Sequence, residues 1–149
     1  MKIKVLDCTL RDGGYINDWS FSNHQIETIL SSLALSNIDI FECGYLNDSE
    51  GKEKNSTLFN SINTVNKILS KSKINKENVV MINFGDFSIE NLAPKSDTNI
   101  DGIRLAFHKN KFDEAFEYGQ KIINLGYKLF FQPMITKKYT DLEFLLMIE

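Results

Sequence analysis

The sequence predicts an α/β fold in which about five strand–helix units follow one another along the chain. Short apolar segments, typical of buried strands, alternate with longer segments whose apolar residues recur at helical spacing. Capping residues mark the points where two of the helices begin. Such an alternation is typical of a parallel sheet with helices packed against it.

The first two units occupy the N-terminal half of the chain. A strand is predicted at residues 3–8, and the first helix begins at Ser22, which forms a capping box with Gln25. The second strand is predicted at residues 39–44. The helix that follows it has a one-sided apolar pattern made by Leu58, Phe59, Ile62, Val65 and Leu69.

The third strand is predicted at residues 78–84 and the fourth at residues 100–107, with a short, weak helix at residues 86–99 between them. Gly126 is well placed to end the next helix. The apolar face of that helix is formed by Phe112, Ala115, Phe116, Gly119, Ile122 and Ile123.

The fifth unit begins with a strand predicted at residues 127–132. Thr140 and Glu143 then form a second capping box, and Tyr139 and Phe144 form a hydrophobic staple around it. The sequence stops inside this last amphipathic segment, at Glu149.

An open doubly wound sheet and a closed barrel both satisfy this alternation. The GxGxxG turn of dinucleotide-binding open sheets is missing after the first strand. The strand runs instead into an Arg-Asp pair and two glycines, in the segment LDCTLRDGGY at residues 6–15. Asp12 could hold a divalent cation through its carboxylate, and Arg11 could neutralise an oxyanion beside it. The alternative is an ordinary ion pair on a turn.

The string TLRDG in this segment resembles the opening signature of the metal-dependent barrels related to hydroxymethylglutaryl-CoA lyase. That group includes 4-hydroxy-2-oxovalerate aldolase and the pyruvate carboxyltransferase domain, and the longer string LDCTLRDGGY is similar to its aldolase-like branch. The resemblance implies a TIM (β/α)8 barrel, which needs eight units and roughly 250 residues. Residues 1–149 would then be the N-terminal part of a single catalytic domain, as a truncated product, a proteolysed product or one piece of a split enzyme.

In such a barrel the active site lies at the C-terminal ends of the strands. Buried parallel strands are usually apolar throughout, so polar groups at those ends indicate a site. We therefore expect the following residues to converge: Asp7, Arg11, Asp12, Glu42, Asn83, Arg104 and Gln132. His108 follows at the exit of the fourth strand. Taken singly, His108 could be an ordinary loop histidine and Gln132 could satisfy loop amides.

The resemblance implies roles for part of this set. Asp12 would bind Mg²⁺ or Mn²⁺, Arg11 would stabilise an enolate, and Glu42 would orient Arg11 through a charge-assisted hydrogen bond of about 2.7–2.9 Å. Cleavage next to a carbonyl produces an enolate, for which a metal ion and an arginine are a sufficient electron sink. Asp7, Tyr15, Asn83, Arg104, His108 and Gln132 are the candidate substrate-binding residues. Schiff-base catalysis is not favoured, because no lysine lies at a predicted strand end.

The chain also departs from these relatives. They complete the metal site with a His-x-His pair, whereas His24 and His108 are the only histidines here, so the remaining metal ligands are expected to be absent from this chain. Tyr15 stands where the hydroxy-oxovalerate aldolases have a histidine, which leaves the catalytic base unassigned. Tyr15 could donate a proton or stack on the substrate, and stacking is favoured. Gly14-Tyr15 replaces the Glu-Gln of the synthases.

Composition excludes several other classes. The net charge is −3, with 17 basic and 20 acidic residues well mixed, so no nucleic-acid footprint is predicted. No apolar run approaches the roughly 20 residues that span a bilayer, and the N-terminus lacks signal-peptide features. Cys8 and Cys43 are predicted to be buried thiols, which favours a cytoplasmic location.

The leading hypothesis is a metal-dependent aldolase or lyase that acts on a small 2-oxo acid. The alternatives are an acyl-CoA-dependent synthase of the same superfamily and a non-catalytic half-barrel that serves as an interaction module. Open sheet edges and apolar patches drive association, so we also expect self-association or pairing with the missing C-terminal half of the barrel.

Overall fold

Five parallel strands lie side by side in the order in which they follow one another along the chain. The structure, a computed structural model, describes residues 3–52, 54–72 and 75–148. Its strands are β1 (Leu6–Asp7), β2 (Ile40–Leu46), β3 (Leu58–Phe59), β4 (Glu77–Asn83), β5 (Gly102–Phe107) and β6 (Lys128–Pro133). The sheet order is β1-β2-β4-β5-β6, and the short β3 pairs beside the end of β2. This sequential order lacks the reversal of a doubly wound sheet, so the strands form a parallel half-barrel and the partial-barrel prediction is confirmed.

Helices follow most of the strands. They are α1 (Thr9–Asp12), α2 (Gly14–Asn17), α3 (Asn23–Ala34), α4 (Ile62–Ser72), α5 (Phe112–Asn124) and α6 (Asp141–Ile148). Glu149, where the last helix was expected to continue, lies outside the described residues. Within the described part of the chain, none of these helices has the length and apolar character needed to cross a membrane.

The main apolar core lies between the outer face of the sheet and the helices. Phe41, Ile82 and Leu105 of the strands are buried there together with Leu30 of α3 and Ile122 of α5. Because side chains alternate across a strand, the residues between these core positions face the opposite, inner side of the sheet. That inner side carries a smaller apolar cluster and most of the candidate site residues.

The strand β2 contains one extra residue relative to β4. Glu42 pairs with Val79 and Tyr45 with Met81, so three steps along β2 match two steps along β4. The bulge includes Gly44, whose φ of +151° favours glycine and whose Cβ would lie 2.3 Å from the Thr57 carbonyl oxygen. In a regular strand Glu42 and Tyr45 would face opposite sides, but the bulge turns both to the inner face.

Both predicted capping boxes are present. Ser22 N–H donates to Gln25 Oε1 at 2.8 Å, and Gln25 N–H donates back to Ser22 Oγ at 3.3 Å. The second box joins Thr140 and Glu143, with the Thr140 N–H donating at 2.7 Å and the Glu143 N–H at 3.3 Å. Gly126 has a φ of +91° directly after α5, in agreement with its predicted role as a helix terminator.

Two segments predicted to be helical are not. Leu58 and Phe59 form β3, because Asn47 N–H donates to the Phe59 carbonyl at 2.9 Å and holds the segment against β2. Residues 86–99 contain only short 3-10 turns at Ile89–Asn91 and Lys95–Asp97. There the hydroxyl of Tyr118 in α5 donates to a backbone carbonyl of the segment at 2.9 Å, and that of Tyr127, directly before β6, donates to another at 2.7 Å. These bonds compete with helical hydrogen bonding.

The first strand is also shorter than predicted. Regular pairing covers only Leu6 and Asp7, which lie opposite Ile40 and Phe41. The chain then enters α1 and α2, so residues 9–17 form two short helical segments rather than an open turn. Arg11 and Asp12 therefore lie on a helical turn above the sheet.

Candidate active site

The centre of the candidate site is Glu42, a carboxylate on the inner face of β2 with no exposed surface. Arg11 Nε donates to Glu42 Oε1 at 2.7 Å, and Arg104 Nη1 donates to Glu42 Oε2. A carboxylate removed from water in this way is stabilised only when charge-assisted partners take its oxygens. The predicted hydrogen bond between Arg11 and Glu42 is confirmed, while the bond from Arg104 was not anticipated.

Arg104 extends the network across the sheet. It is the third residue of β5, and its guanidinium reaches past β4 to Glu42 on one side and donates from Nη2 to Gln132 Oε1 of β6 on the other. Burial lowers the pKa of the Arg104 guanidinium, and the neighbouring positive charge of Arg11 lowers that pKa further. Two arginines and one fully buried glutamate thus form one connected unit.

The turn after β1 fixes the position of Arg11. Asp7 accepts hydrogen bonds at 3.0 Å from both the backbone N–H and the hydroxyl of Thr9, which anchors the start of α1. From this turn Arg11 projects to Glu42 and also donates from Nη1 to Asp12 Oδ1. Asp7 therefore holds the turn that presents Arg11 to the sheet.

A second polar cluster lies beside the first. Tyr45 donates its hydroxyl to Asp86 Oδ2, and Asn83 Nδ2 donates to the same carboxylate oxygen at 3.1 Å. Burial raises the pKa of Tyr45, and the hydrogen bond to Asp86 raises it further. Trp19 stacks on Tyr45 with ring centroids 6.1 Å apart, and Tyr15 meets the edge of Trp19 at 4.8 Å.

The glycines of the N-terminal segment permit this aromatic stack. A Cβ on Gly14 would lie 2.1 Å from the Trp19 ring, and a Cβ on Gly13 would lie 2.5 Å from the Thr9 carbonyl oxygen. Gly13 itself has an ordinary right-handed helical conformation. The glycine pair is therefore needed for close packing.

Apart from Asp7, which holds the turn before Arg11, the predicted site residues divide into three groups. Direct hydrogen bonds join one set into a continuous network, which consists of Asp12, Arg11, Glu42, Arg104 and Gln132. Asn83 belongs to the neighbouring Tyr45–Asp86 cluster. Tyr15 is exposed against Trp19, and His108 is exposed at the start of the 3-10 turn Lys109–Lys111.

The prediction that these groups mark strand ends needs correction. Glu42 is the third of seven residues in β2 and Arg104 the third of six in β5, so both lie within the sheet. Asp7 and Asn83 are the last residues of β1 and β4, and His108 directly follows β5, so these three lie at strand ends as expected. The charges are tolerated inside the strands because each pairs with the other.

Sequence reasoning missed Tyr45, Asp86 and Trp19. Tyr45 follows Glu42 by three positions, which in a regular strand would place the two side chains on opposite faces. No pattern in the sequence predicted the bulge that brings them to the same face. One compositional signal was available for Arg104. Only two of the 17 basic residues are arginines, and both contact Glu42.

Asp12 does not form a metal site with its neighbours. Its side chain is 51% exposed, Arg11 donates to one of its oxygens, and the Cys8 thiol donates to the other at 2.9 Å. Burial raises the pKa of Cys8, and the hydrogen bond to Asp12 adds to the effect. Among the residues that the structure describes, no three histidine, cysteine or acidic side chains are grouped so that they could hold a metal ion. Mg²⁺ and Mn²⁺ need several oxygen ligands, so the described residues do not fit such an ion on their own.

Comparisons with known proteins support the fold. No protein-family profile matches the sequence, and no curated protein is significantly similar to it. One similar solved structure is the N-terminal domain of a candidate aldolase from Bacteroides vulgatus, with a TM-score of 0.64 and 24% sequence identity. The match covers 85% of this chain and 43% of the other, so this chain spans less than half the length of its structural neighbour. At this identity the likeness shows the fold alone, which is a parallel half-barrel.

Proposed function

We propose that the chain contributes the enolate-stabilising part of an aldolase or lyase that cleaves or forms a carbon–carbon bond next to the carbonyl of a 2-oxo acid. The observation that carries the proposal is the Arg11–Glu42–Arg104 unit, buried on the inner face of a half-barrel. The fold likeness to a candidate aldolase domain and the LDCTLRDGGY segment both support it.

The proposed reaction needs one stable cationic group at the carbonyl oxygen. When a 4-hydroxy-2-oxo acid is cleaved, the C4 hydroxyl loses its proton to a base and the C3–C4 bond breaks. An aldehyde leaves, and the bonding electrons form the enolate of a shorter 2-oxo acid, which is then protonated at C3. Arg11 would donate to the enolate oxygen, where a fixed donor is worth most in a water-excluded site. Glu42 holds the guanidinium at 2.7 Å, so little reorganisation is required during the reaction.

Supporting roles follow from the surroundings of this unit. Tyr15 is proposed to cover the substrate with its ring, since the ring is 62% exposed and already packs against Trp19. Asp12 is the metal ligand that we propose for this chain. Further ligands for Mg²⁺ or Mn²⁺ would have to come from outside the described residues, because Asp12 alone does not fit the ion.

The same proposal includes a partner for the apolar surface at the C-terminal side. In the described part of the chain, β6 pairs only with β5, and α6 exposes about two thirds of Leu142, Leu145 and Leu146. Apolar surface of this kind favours association. We propose that the remainder of a barrel, or a second copy of the chain, covers it.

The test is an assay on the complete reading frame that contains these 149 residues. We expect release of pyruvate from 4-hydroxy-2-oxo acids, and a loss of at least about 100-fold in Arg11→Gln, the typical effect of removing one oxyanion donor. Lys121→Gln on the outer surface of α5 is the matched control and should keep full activity. Unchanged turnover in Arg11→Gln would refute the role of Arg11. Release of CoA from an acyl-CoA, without pyruvate release, would favour the synthase alternative.

A further inference from the structure

The two arginines of this chain are used differently from its lysines. The sequence has 15 lysines and two arginines, and the ion pairs at the surface are made by lysine, as between Lys109 and Glu143. Both arginines instead lie at the buried Glu42. Arginine differs from lysine in presenting a planar fork of N–H groups that matches a carboxylate. The composition therefore indicates that this site needs two guanidinium groups specifically.

The buried part of the network carries excess positive charge. The side chains of Arg11 and Arg104 are 11% and 14% exposed, whereas the one acid fully buried with them is Glu42. Asp12, the other acid in contact, is 51% exposed and lies toward solvent. Two cations facing a single buried anion favour the binding of a further anion in the same place.

Both guanidinium groups have N–H donors beyond those that contact the described residues. Each arginine carries five N–H groups. The hydrogen bonds of Arg11 go to Glu42 and Asp12, and those of Arg104 go to Glu42 and Gln132. Among the described residues these contacts use two donors of each side chain, which leaves N–H groups on both for a ligand.

Arg104 borders an open hollow of about 1030 Å³ that runs along β6 and the segment after it. Gln132 and Thr136 supply polar groups to its wall, and Phe130 and Met134 supply apolar surface. A small organic acid fits such a space, with its charged end on the arginine and its carbon chain against the apolar wall.

We propose that Arg104 binds the carboxylate of the substrate while Arg11 binds the adjacent 2-oxo oxygen, so that Arg104 determines specificity for 2-oxo acids over neutral carbonyl compounds. This inference rests on the proposed function and adds the residue that selects the acid group. Glu42 contacts both guanidiniums and thereby holds the carboxylate-binding and carbonyl-binding groups in a fixed relationship.

The experiment compares the binding of pyruvate and of its neutral methyl ester by calorimetry, using the complete reading frame. Removing a charge-assisted hydrogen bond costs about 10- to 100-fold in affinity, so Arg104→Gln should lose that much for pyruvate. The affinity of Arg104→Gln for methyl pyruvate should differ from that of the wild type by less than about threefold, which is the size of ordinary indirect effects of a substitution. The affinity of Arg104→Lys for pyruvate should lie between those of the wild type and Arg104→Gln, because lysine keeps the positive charge but lacks the planar fork of N–H groups. Lys121→Gln is the control, since it removes a positive charge from the outer surface.

Comparing pyruvate with methyl pyruvate distinguishes a specific loss of carboxylate binding from a general loss of folded protein. If Arg104→Gln does not fold, Arg104→Lys decides by its ratio of pyruvate to methyl pyruvate affinity. An unchanged ratio in the folded variant, or a wild-type protein that binds neither ligand, would overturn the inference. If Arg104 controls the ratio but no pyruvate is released from hydroxy-oxo acids, the binding site stands and the aldolase proposal fails. If aldol cleavage proceeds with the same KM in Arg104→Gln, the aldolase proposal stands and this inference fails.

Discussion

Arg11 Nε lies 2.7 Å from Oε1 of Glu42, although the two residues are 31 positions apart in the sequence. The second oxygen of the same carboxylate is held by Arg104, so Glu42 joins the first turn after β1 to the middle of β5. A contact of this range ties the N-terminal segment to the sheet, and its removal should affect both stability and the site.

Replacing Glu42 should destabilise the protein strongly. Glu42→Ala leaves two guanidiniums buried without their carboxylate, and breaking a buried pair typically costs about 3–5 kcal/mol. Urea denaturation measures the change in the free energy of unfolding. Glu114→Gln is the control, because that acid pairs with Lys111 at the surface and should cost less than about 1 kcal/mol. If Glu42→Ala and Glu114→Gln lowered the free energy of unfolding equally, the buried ion pairs of Glu42 would not be important for stability.

The contribution of Glu77 to the stability of the folded protein should depend on pH. Glu77 at the start of β4 accepts hydrogen bonds from Lys4 at 2.7 Å and from Lys128 at 2.6 Å. Burial acts to raise the pKa of Glu77, but the two lysines outweigh it and the pKa is lowered. A lowered pKa in the folded state gives stability that is present above the unfolded pKa, about 4.3, and lost as pH falls through the folded pKa.

Glu77→Gln should accordingly cost about 1 kcal/mol at neutral pH, as expected for a partly exposed ion pair. The difference in unfolding free energy between wild type and variant should shrink as the pH falls below about 4. Chemical denaturation at several pH values measures it. A difference that grows toward low pH would contradict the assignment.

Gly14→Ala should displace the aromatic stack, since the new Cβ would lie 2.1 Å from the Trp19 ring. Overpacking of this kind costs about 1–3 kcal/mol. Trp19 is the only tryptophan in the sequence, so its fluorescence reports the displacement directly. At Gly85 a Cβ would meet no atom within 4 Å, so Gly85→Ala changes only backbone conformation and should leave the emission unaltered. The stack would not depend on Gly14 if both variants emitted like wild type.

The chain of 149 residues should bind divalent metal weakly and release no pyruvate on its own. Within its described part Asp12 belongs to no group of three histidine, cysteine or acidic side chains that could hold a metal ion, so Mg²⁺ or Mn²⁺ at about 1 mM should shift Tm by less than about 1 °C. Thermal unfolding with and without EDTA provides the measurement, alongside the pyruvate assay. Saturable micromolar binding of Mn²⁺, lost in Asp12→Asn, would mean that the ion finds ligands that the structure does not group together.

The same chain should not remain a simple monomer. Leu142, Leu145 and Leu146 expose about two thirds of their surface on α6, and apolar patches drive association. Sedimentation analysis should detect dimers or larger species, and Leu146→Lys should shift the population toward monomer. Lys121→Glu, a polar change on α5, should have no such effect. A monodisperse wild-type monomer would show that this surface is tolerated in water.

The sequence was sufficient for the parts of the fold that depend on local rules. The capping residues Ser22 and Thr140 begin helices as predicted, and the charged Arg11 and Glu42 pair because neither is stable when it is buried alone. The contact between Glu42 and Arg104 was not predictable in the same way. It crosses β4, and the bulge in β2 shifts the strand register in a way that the side-chain pattern does not reveal. The predicted helical assignment of Leu58 and Phe59 was wrong for a related reason, since their spacing fits a helix as well as a short strand.

The bulge in β2 makes the number of residues between Glu42 and Tyr45 as important as their chemistry. Any apolar side chain of similar size could replace Cys43, because that position only fills the outer core. Deletion of one codon between Glu42 and Tyr45 would restore a regular strand, and either Tyr45 would leave the inner face or Glu42 would leave its two arginines. A gene encoding this protein can therefore exchange Cys43 for another apolar residue of similar size, while the number of codons between Glu42 and Tyr45 is held constant.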